Sequence, residues 1–326
     1  MPEEVSRSQR SSATTYLVWA LGGFVCVALL CVASVLLSLD SRVSTGLWTQ
    51  QRLSIKRDAL SLANPKLVLL GGSNVLYGFS AAQLSTQHGI ATVNAGTHAG
   101  LGIAFILREG RRSLAPGRVI VLALEYELYA DGQYDRALAD QVLGFEPAMF
   151  WQLDLPAQGY LVFGLPLSER VRYLRAARGM ESHHAYADAD ARQAVNPWGD
   201  TIDNDQRART PAMLAGVQAT KPHTYSHGTR AWQQIAAFAA DARRSAARVV
   251  IAYPNIYYKA LGQHNGRFLT ELERRASELG IPTIGRPHDY EFGDDRAFNT
   301  SYHQSQQGQQ LSTERLYRDL AAAGFI

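Results

Sequence analysis

The longest apolar run lies near the amino terminus, where Tyr16–Leu39 reads YLVWALGGFVCVALLCVASVLLSL without a charged residue. At about 1.5 Å per residue, a helix of this length crosses a hydrocarbon core of about 30 Å. A signal-peptide core runs only about 7–15 residues before a small-residue cleavage site, and no good cleavage site follows here. A core helix would normally keep a polar side. The pattern therefore predicts one retained transmembrane helix at 16–39, after a short tail at 1–15. Arg7 and Arg10 precede the span, while Arg42, Arg52, Lys56 and Arg57 follow it, so charge asymmetry does not orient it. A short tail before a large domain is the usual layout of an uncleaved signal anchor. On that basis the tail is expected in the cytoplasm and the domain on the periplasmic or extracellular side of the inner (cytoplasmic) membrane.

Beyond an amphipathic juxtamembrane linker at 40–63, the pattern changes to short apolar runs. Lys66–Leu70, Ala91–Asn94, Val119–Leu124, Val249–Tyr253 and Ile281–Ile284 read as buried strands, continuous rather than alternating. Between them Ser80–His88, Gly102–Ser113, Gly228–Ala246, Leu261–Leu279 and Gln307–Ala323 suit helices. The recurring strand–helix order predicts an α/β domain at 64–326, a doubly wound parallel sheet with helices on both faces. Residues 131–225 break the rhythm and read as an insertion, either a lid or a partner-binding surface.

Composition narrows the function classes. A formal charge of +3 over 326 residues, with no run of as many as five Lys or Arg, argues against nucleic acid as a partner. The two cysteines, Cys26 and Cys31, both lie in the apolar span, so the domain has no disulfide, thiol nucleophile or cysteine metal site. Neither a metal nor a cofactor is expected.

Candidate chemistry sits in three windows. In KLVLLGGSNVLYGFSAAQL, Lys66–Leu84, a strand ends at Gly71-Gly72 and Ser73 follows at its carboxyl end, where sites form in open α/β sheets. Glycines there let the backbone turn sharply and approach a ligand closely; the bland alternative is an ordinary strand-to-helix loop. In ATVNAGTHAGLG, Ala91–Gly102, a second strand ends in Asn94-Ala95-Gly96, whose N–H groups could face a developing oxyanion. His98 in that loop reads as a loop residue rather than a base. In DDRAFNTSYHQSQQGQQLSTERL, Asp294–Leu316, His303 precedes the last helix and could serve a serine on a neighbouring strand as base.

Taken in this order, the windows resemble the SGNH/GDSL hydrolase superfamily. Gly72-Ser73-Asn74 is similar to its nucleophile block and Asn94-x-Gly96 to its second block. Phe298-Asn299-x-x-Tyr302-His303-x-x-x-x-Gly308 resembles its last block, in the form found in membrane-linked cell-envelope acyltransferases. Those relatives include alginate and cellulose O-acetylation proteins and the D-alanyl transfer protein of teichoic acids. The likeness covers roughly 64–129 and 249–320. It implies a flavodoxin-like sheet, Ser73 as nucleophile and His303 as base. It also implies an oxyanion site among Gly72, Ser73, Asn74, Asn94 and Gly96.

The sequence departs from that pattern twice. After the third strand the family's oxyanion-binding Asn is missing, and the chain reads Glu125-Tyr126-Glu127. Losing one such donor costs about 3–4 kcal/mol of transition-state stabilisation. In the last block the acid position holds Thr300 if His303 fills the His slot, or Asn299 if Tyr302 does. Asp294 or Asp295 could supply the charge instead. The resemblance implies a membrane-anchored serine acyltransferase or esterase acting on O-acyl, above all O-acetyl, groups of a cell-envelope or exported polysaccharide. Its partners would be that acylated glycan, the membrane and a membrane-embedded acyl-donor protein. The alternative is a catalytically weak or inactive scaffold that binds a polymer or membrane partner. Elsewhere, His183-His184 with Asp188 and Asp190 reads as a solvated loop, because adjacent histidines point apart. His223 with His227 lacks a third ligand. Tyr253, Tyr257 and Tyr258 suit either a sugar-binding groove or packing under a loop.

Overall fold

The computed structural model describes residues 2–62, 64–180, 194–262 and 265–326. The chain divides into two compact units, Met1–Val43 with Val142–His183, and Ser44–Gln141 with His184–Ile326.

In the first unit, helix α1 (Pro2–Leu36) contains one stretch, Thr15–Leu36, long and apolar enough to cross a membrane. Helical structure stops short of the expected Leu39. Leu37–Asp40 forms turns, and Asp40 adopts a left-handed φ of 65°, a conformation that a short polar side chain tolerates at a helix end. The rest of the unit is helical in short pieces, Pro147–Gln152, Leu155–Gly159, Tyr160–Gly164 and Leu167–Ala176.

In the second unit, strands β1 (Leu67–Leu70), β2 (Thr92–Asn94), β3 (Val119–Leu122), β4 (Arg248–Ala252) and β6 (Thr283–Ile284) pair in parallel in the order β2-β1-β3-β4-β6. A second, two-stranded parallel piece joins β5 (Ile256–Tyr257) to β7 (Glu291–Phe292). Every residue of β1 and β3 is buried, which is why these strands read as unbroken apolar runs. Counting sheet strands alone the order is 2-1-3-4-5, and it reverses between β1 and β3. A crevice opens at such a reversal beyond the carboxyl ends of the strands, because the connections leave in opposite directions.

Pairing ends earlier than the apolar runs suggest. The β3 ladder stops at Leu122 and the β4 ladder at Ala252, and the chain continues buried to Glu125 and Asn255. Helices flank the sheet. They are α2 (Ser44–Leu62), α3 (Ser73–Gly78), α4 (Ala81–Gln87), α5 (Gly102–Arg111), α6 (Thr229–Arg244), α7 (Gly266–Glu278) and α8 (Gln306–Ala322). Helix α6 packs on α5 and β4, α8 on α3 and α4, and α2 on β2. The stretch expected to be a linker thus supplies α2, a helix of the second unit, and the stretch 131–225 is shared between the two units.

Leu122 is fully buried and registers with both Leu70 and Ile251. Leu122→Ala should therefore cost about 2–5 kcal/mol, read as a lower midpoint in denaturant unfolding of the detergent-solubilised chain. A change under about 1 kcal/mol would contradict this core.

Candidate active site

The turn after β1 is shaped by a side chain from the segment that follows β3. A Cβ on Gly72 would lie 2.5 Å from both carboxylate oxygens of Glu125, and one on Gly71 would run into the Ala123 carbonyl. Only glycine lets the two strand ends approach this closely. Glu125 is 2% exposed. Its carboxylate accepts the N–H of Gly72 at 3.1 Å and of Asn74 at 2.7 Å, and the Ser73 hydroxyl donates to it at 3.4 Å. Burial pushes the Glu125 carboxyl up to about 7, against the opposing pull of the two N–H bonds. Ser73 opens α3 and stays partly exposed.

The end of β2 is tied down from inside. Asn94 donates to the carbonyls of Val75 and Phe79, each at 3.0 Å, and its Oδ1 accepts the Gly96 N–H at 2.9 Å. The Asn74 amide donates to the Ala123 carbonyl at 3.2 Å and accepts the Asn255 N–H at 2.7 Å. Both asparagines are fully buried. Of the expected oxyanion groups, the N–H groups of Gly72, Asn74 and Gly96 and the side chains of Asn74 and Asn94 are all engaged in these internal bonds. They fix the rim rather than face the crevice.

His303 reaches the same rim from the loop before α8. That loop is closed by Phe298 N–H to the His303 carbonyl, 2.9 Å, and by a bridge between Ala297 and Gln304. Ser305 caps the helix that follows. The imidazole stacks on Tyr77 with centroids 4.1 Å apart, and its Nδ1 lies 2.7 Å from Asn299 Oδ1. An amide oxygen can only accept, so Nδ1 carries the proton and Nε2 is the basic nitrogen. Burial, helped by repulsion from His98, pushes the imidazolium down to about 3, so the ring is neutral at pH 7. Tyr302 points elsewhere, its hydroxyl donating to Glu127 at 2.7 Å and lying 3.3 Å from the Tyr225 hydroxyl. Asp294 accepts from Tyr257 at 2.6 Å and Gln218 at 2.7 Å, and Asp295 lies 3.6 Å from Arg296.

Ser73, Tyr77, His98 and His303 line one pocket of about 630 Å³, within the range of small-molecule sites. Trp48, Thr45 and Thr49 from α2 and Asp135, Arg136, Ala137 and Asp140 complete the wall. His98 Nδ1 accepts the Gly100 N–H at 3.0 Å, so its Nε2 carries the ring proton and is a donor. Deeper, Lys56 is buried, donates to the Asn94 carbonyl at 2.8 Å, and is pushed down to about 7 by burial. Sequence reading missed Glu125, Trp48, Tyr77 and Lys56 as parts of this site. Glu125 was visible only as a departure from an expected Asn.

The remaining candidates lie apart from this pocket. Both ring nitrogens of His227 are bonded, to Trp232 and to the Phe268 carbonyl. Tyr253 and Tyr257 are buried, and Tyr258 is half exposed. His183, His184, Asp188 and Asp190 fall outside the described residues. Among the described residues no group of three His, Cys, Asp or Glu is placed to hold a metal. Comparison with known proteins gives no match to a family model, a curated protein or a solved structure.

The Glu125 carboxyl has a testable consequence. In the fold it keeps its proton up to about pH 7, whereas the unfolded group loses it near 4.5. The unfolded state binds fewer protons between those values, so the stability from Glu125 is complete below 4.5 and is lost as pH rises to 7. The unfolding free energy of wild type minus Glu125→Gln should fall by about 3 kcal/mol across that window. A flat difference would mean that the buried carboxyl is ionised throughout.

Proposed function

We propose that the second unit is an SGNH-type serine acyltransferase or esterase, anchored by α1 in the inner membrane with this unit on its periplasmic or extracellular side. The observation that carries the reading is the meeting of Ser73 and His303 in one pocket at the reversal point of the sheet, with the basic Nε2 left over once Asn299 holds Nδ1. The Ser73 hydroxyl would attack an acyl carbonyl while His303 Nε2 takes its proton. Collapse of the tetrahedral adduct expels the donor's leaving group, which takes that proton from His303. A sugar hydroxyl, or water in the esterase, then attacks acyl-Ser73, and His303 passes the new proton back to Ser73. The His98 Nε2–H and the Ser73 N–H, the latter without a helical acceptor at the first turn of α3, are the donors proposed for the oxyanion.

The acyl group and acceptor are proposed as O-acetyl and a cell-envelope or exported polysaccharide, delivered from a membrane-embedded acyl-donor protein. The anchor and the half-buried Trp48 in the pocket wall support this choice, since aromatic faces pack on sugar rings. A second reading, an inactive scaffold that binds a polymer or membrane partner, is favoured by one observation. The Ser73 hydroxyl bonds to Glu125, and the same carboxylate takes two N–H groups that an oxyanion would need.

Fluorophosphonate labelling separates the two readings. The full chain should label, and Ser73→Ala should not; no labelling of a folded wild-type chain supports the scaffold. His303→Gln should slow labelling by about 10²–10⁴. Ionisation of Glu125 near pH 7 should slow labelling on the alkaline side; because the imidazole stays neutral far below its ordinary range, the acid limb should hold steady from pH 6 to 5 and fall only below. A half-maximum near 6.5 on the acid limb would contradict the buried base. Asn299→Asp should raise the basicity of His303, speed labelling at least about tenfold and move the acid limb upward, the reverse of the loss seen when a triad Asp becomes Asn. Turnover of an activated acetyl ester, with and without an oligosaccharide, then distinguishes transferase from esterase.

A further inference from the structure

We infer that Pro147–Ala176 is a second membrane-contacting element, lying in the lipid interface beside the end of the span. The inference concerns the first unit and stands apart from the chemistry at Ser73. Within this segment Trp151, Leu155, Phe163 and Leu167 are 74%, 82%, 62% and 75% exposed, and Val171 is 46% exposed. Leu167 and Val171 stand one turn apart on a single helix face. A water-facing segment would not be expected to present so many large apolar side chains together.

The occupant follows from where the segment is fixed. Tyr160–Gly164 and Leu167–Ala176 pack on α1. Arg170 donates to the Ser34 hydroxyl at 2.9 Å and to the Leu165 carbonyl at 3.1 Å. Val35 on α1 and Ser38 in the turn after it are buried, while Trp19, Leu21 and Phe24 on α1 are at least 65% exposed. The segment thus covers only the carboxyl end of the span and leaves the rest open. That level is the boundary between hydrocarbon and headgroups, where Trp concentrates and an amphipathic helix lies flat. The helix Leu167–Ala176 is amphipathic in the matching sense. Leu167 and Val171 are exposed, Tyr173 is buried, Arg170 and Arg172 are held by Ser34 and Glu169, and the exposed Arg175 supplies a cation suited to lipid phosphate. Burying the apolar side chains in acyl chains recovers the stabilisation that exposure to water forfeits.

Spin-label accessibility in the full chain tests this. In a Cys26→Ala, Cys31→Ala background, nitroxides are placed by Leu155→Cys, Phe163→Cys and Leu167→Cys. Leu21→Cys marks the span and Leu311→Cys, on the exposed side of α8, marks a water-facing control. In vesicles of phosphatidylethanolamine and phosphatidylglycerol, the first three should resemble Leu21→Cys, with an oxygen-to-nickel-chelate accessibility ratio several-fold above that of Leu311→Cys. Ratios equal to the Leu311→Cys value at all three would overturn the inference. So would protection from both reagents in native membranes combined with nickel access in pure lipid, because a protein partner would then be the occupant. A Leu21→Cys label that behaves like Leu311→Cys would overturn it at its root, since the span itself would lie outside the bilayer.

Discussion

A buried carboxylate joins the two strands between which the sheet reverses. Glu125 leaves the end of β3, takes the N–H groups on either side of Ser73, and fills the space a side chain on Gly72 would need. An uncompensated buried carboxylate is costly enough that the group takes up a proton instead. Two backbone bonds offset part of that cost. They also give donors at the first turn of α3 the partner that a helix start lacks. The same bonds fix the direction in which Ser73 leaves the sheet. The Asn74 and Asn94 amides hold the outer side of the turn, so the position of the serine is set by three buried polar side chains. An apolar side chain at any of these positions would leave backbone groups unpaired, each costing roughly 1–3 kcal/mol.

The sheet was legible because its strands are buried on both faces. Each of the five expected runs contains a strand of the sheet, with ends shifted by one or two residues at most positions. The disagreement at Leu124 and Tyr253 has a physical source, since apolar burial continues where the ladder stops and hydropathy reports burial rather than pairing. Helix α3 was not legible, because its six residues are too few to establish a 3.6-residue period. Helix α2 reads as an amphipathic linker for a different reason. Arg52 and Lys56 are each 3% exposed and donate to Asp203 and Thr201, and to the Asn94 and Gly199 carbonyls. Those partners lie far off in sequence, and a local pattern scores both cations as surface. A shared rim for Ser73 and His303 was expected from strand ends and loop order. The occupant of the inner side of the turn was not, because a Glu after a strand carries no signal of burial.

The first unit shows the same limit in another form. From 147 to 176 the chain is broken into short helical pieces, so no long period survives to mark an amphipathic face. What distinguishes the segment is a three-dimensional property, a cluster of exposed large side chains fixed to one end of an apolar helix through Arg170 and Ser34. Exposure of this kind cannot be read from residue types, since Leu and Phe in sequence predict the interior.

Three groups buried around the Ser73 turn follow one electrostatic rule, which is that burial keeps them near neutrality. Burial moves Glu125 and Lys56 from opposite directions to about 7 and leaves His303 uncharged. The position beside the imidazole holds an amide, Asn299, which orients the ring without adding charge. This arrangement makes a serine–histidine pair a weaker base system than one backed by a carboxylate, because the imidazolium formed during proton transfer has only a dipole to meet it. It has a compensating effect. In the low-dielectric surroundings of the turn, a newly formed oxyanion interacts strongly with any fixed donor, and a protonated Glu125 no longer repels it. Ionisation of Glu125 would reverse that benefit, since a full negative charge within hydrogen-bond reach of Ser73 opposes a second one on the substrate. The buried carboxyl that builds the turn thereby also limits the pH range over which the neighbouring hydroxyl can act as a nucleophile.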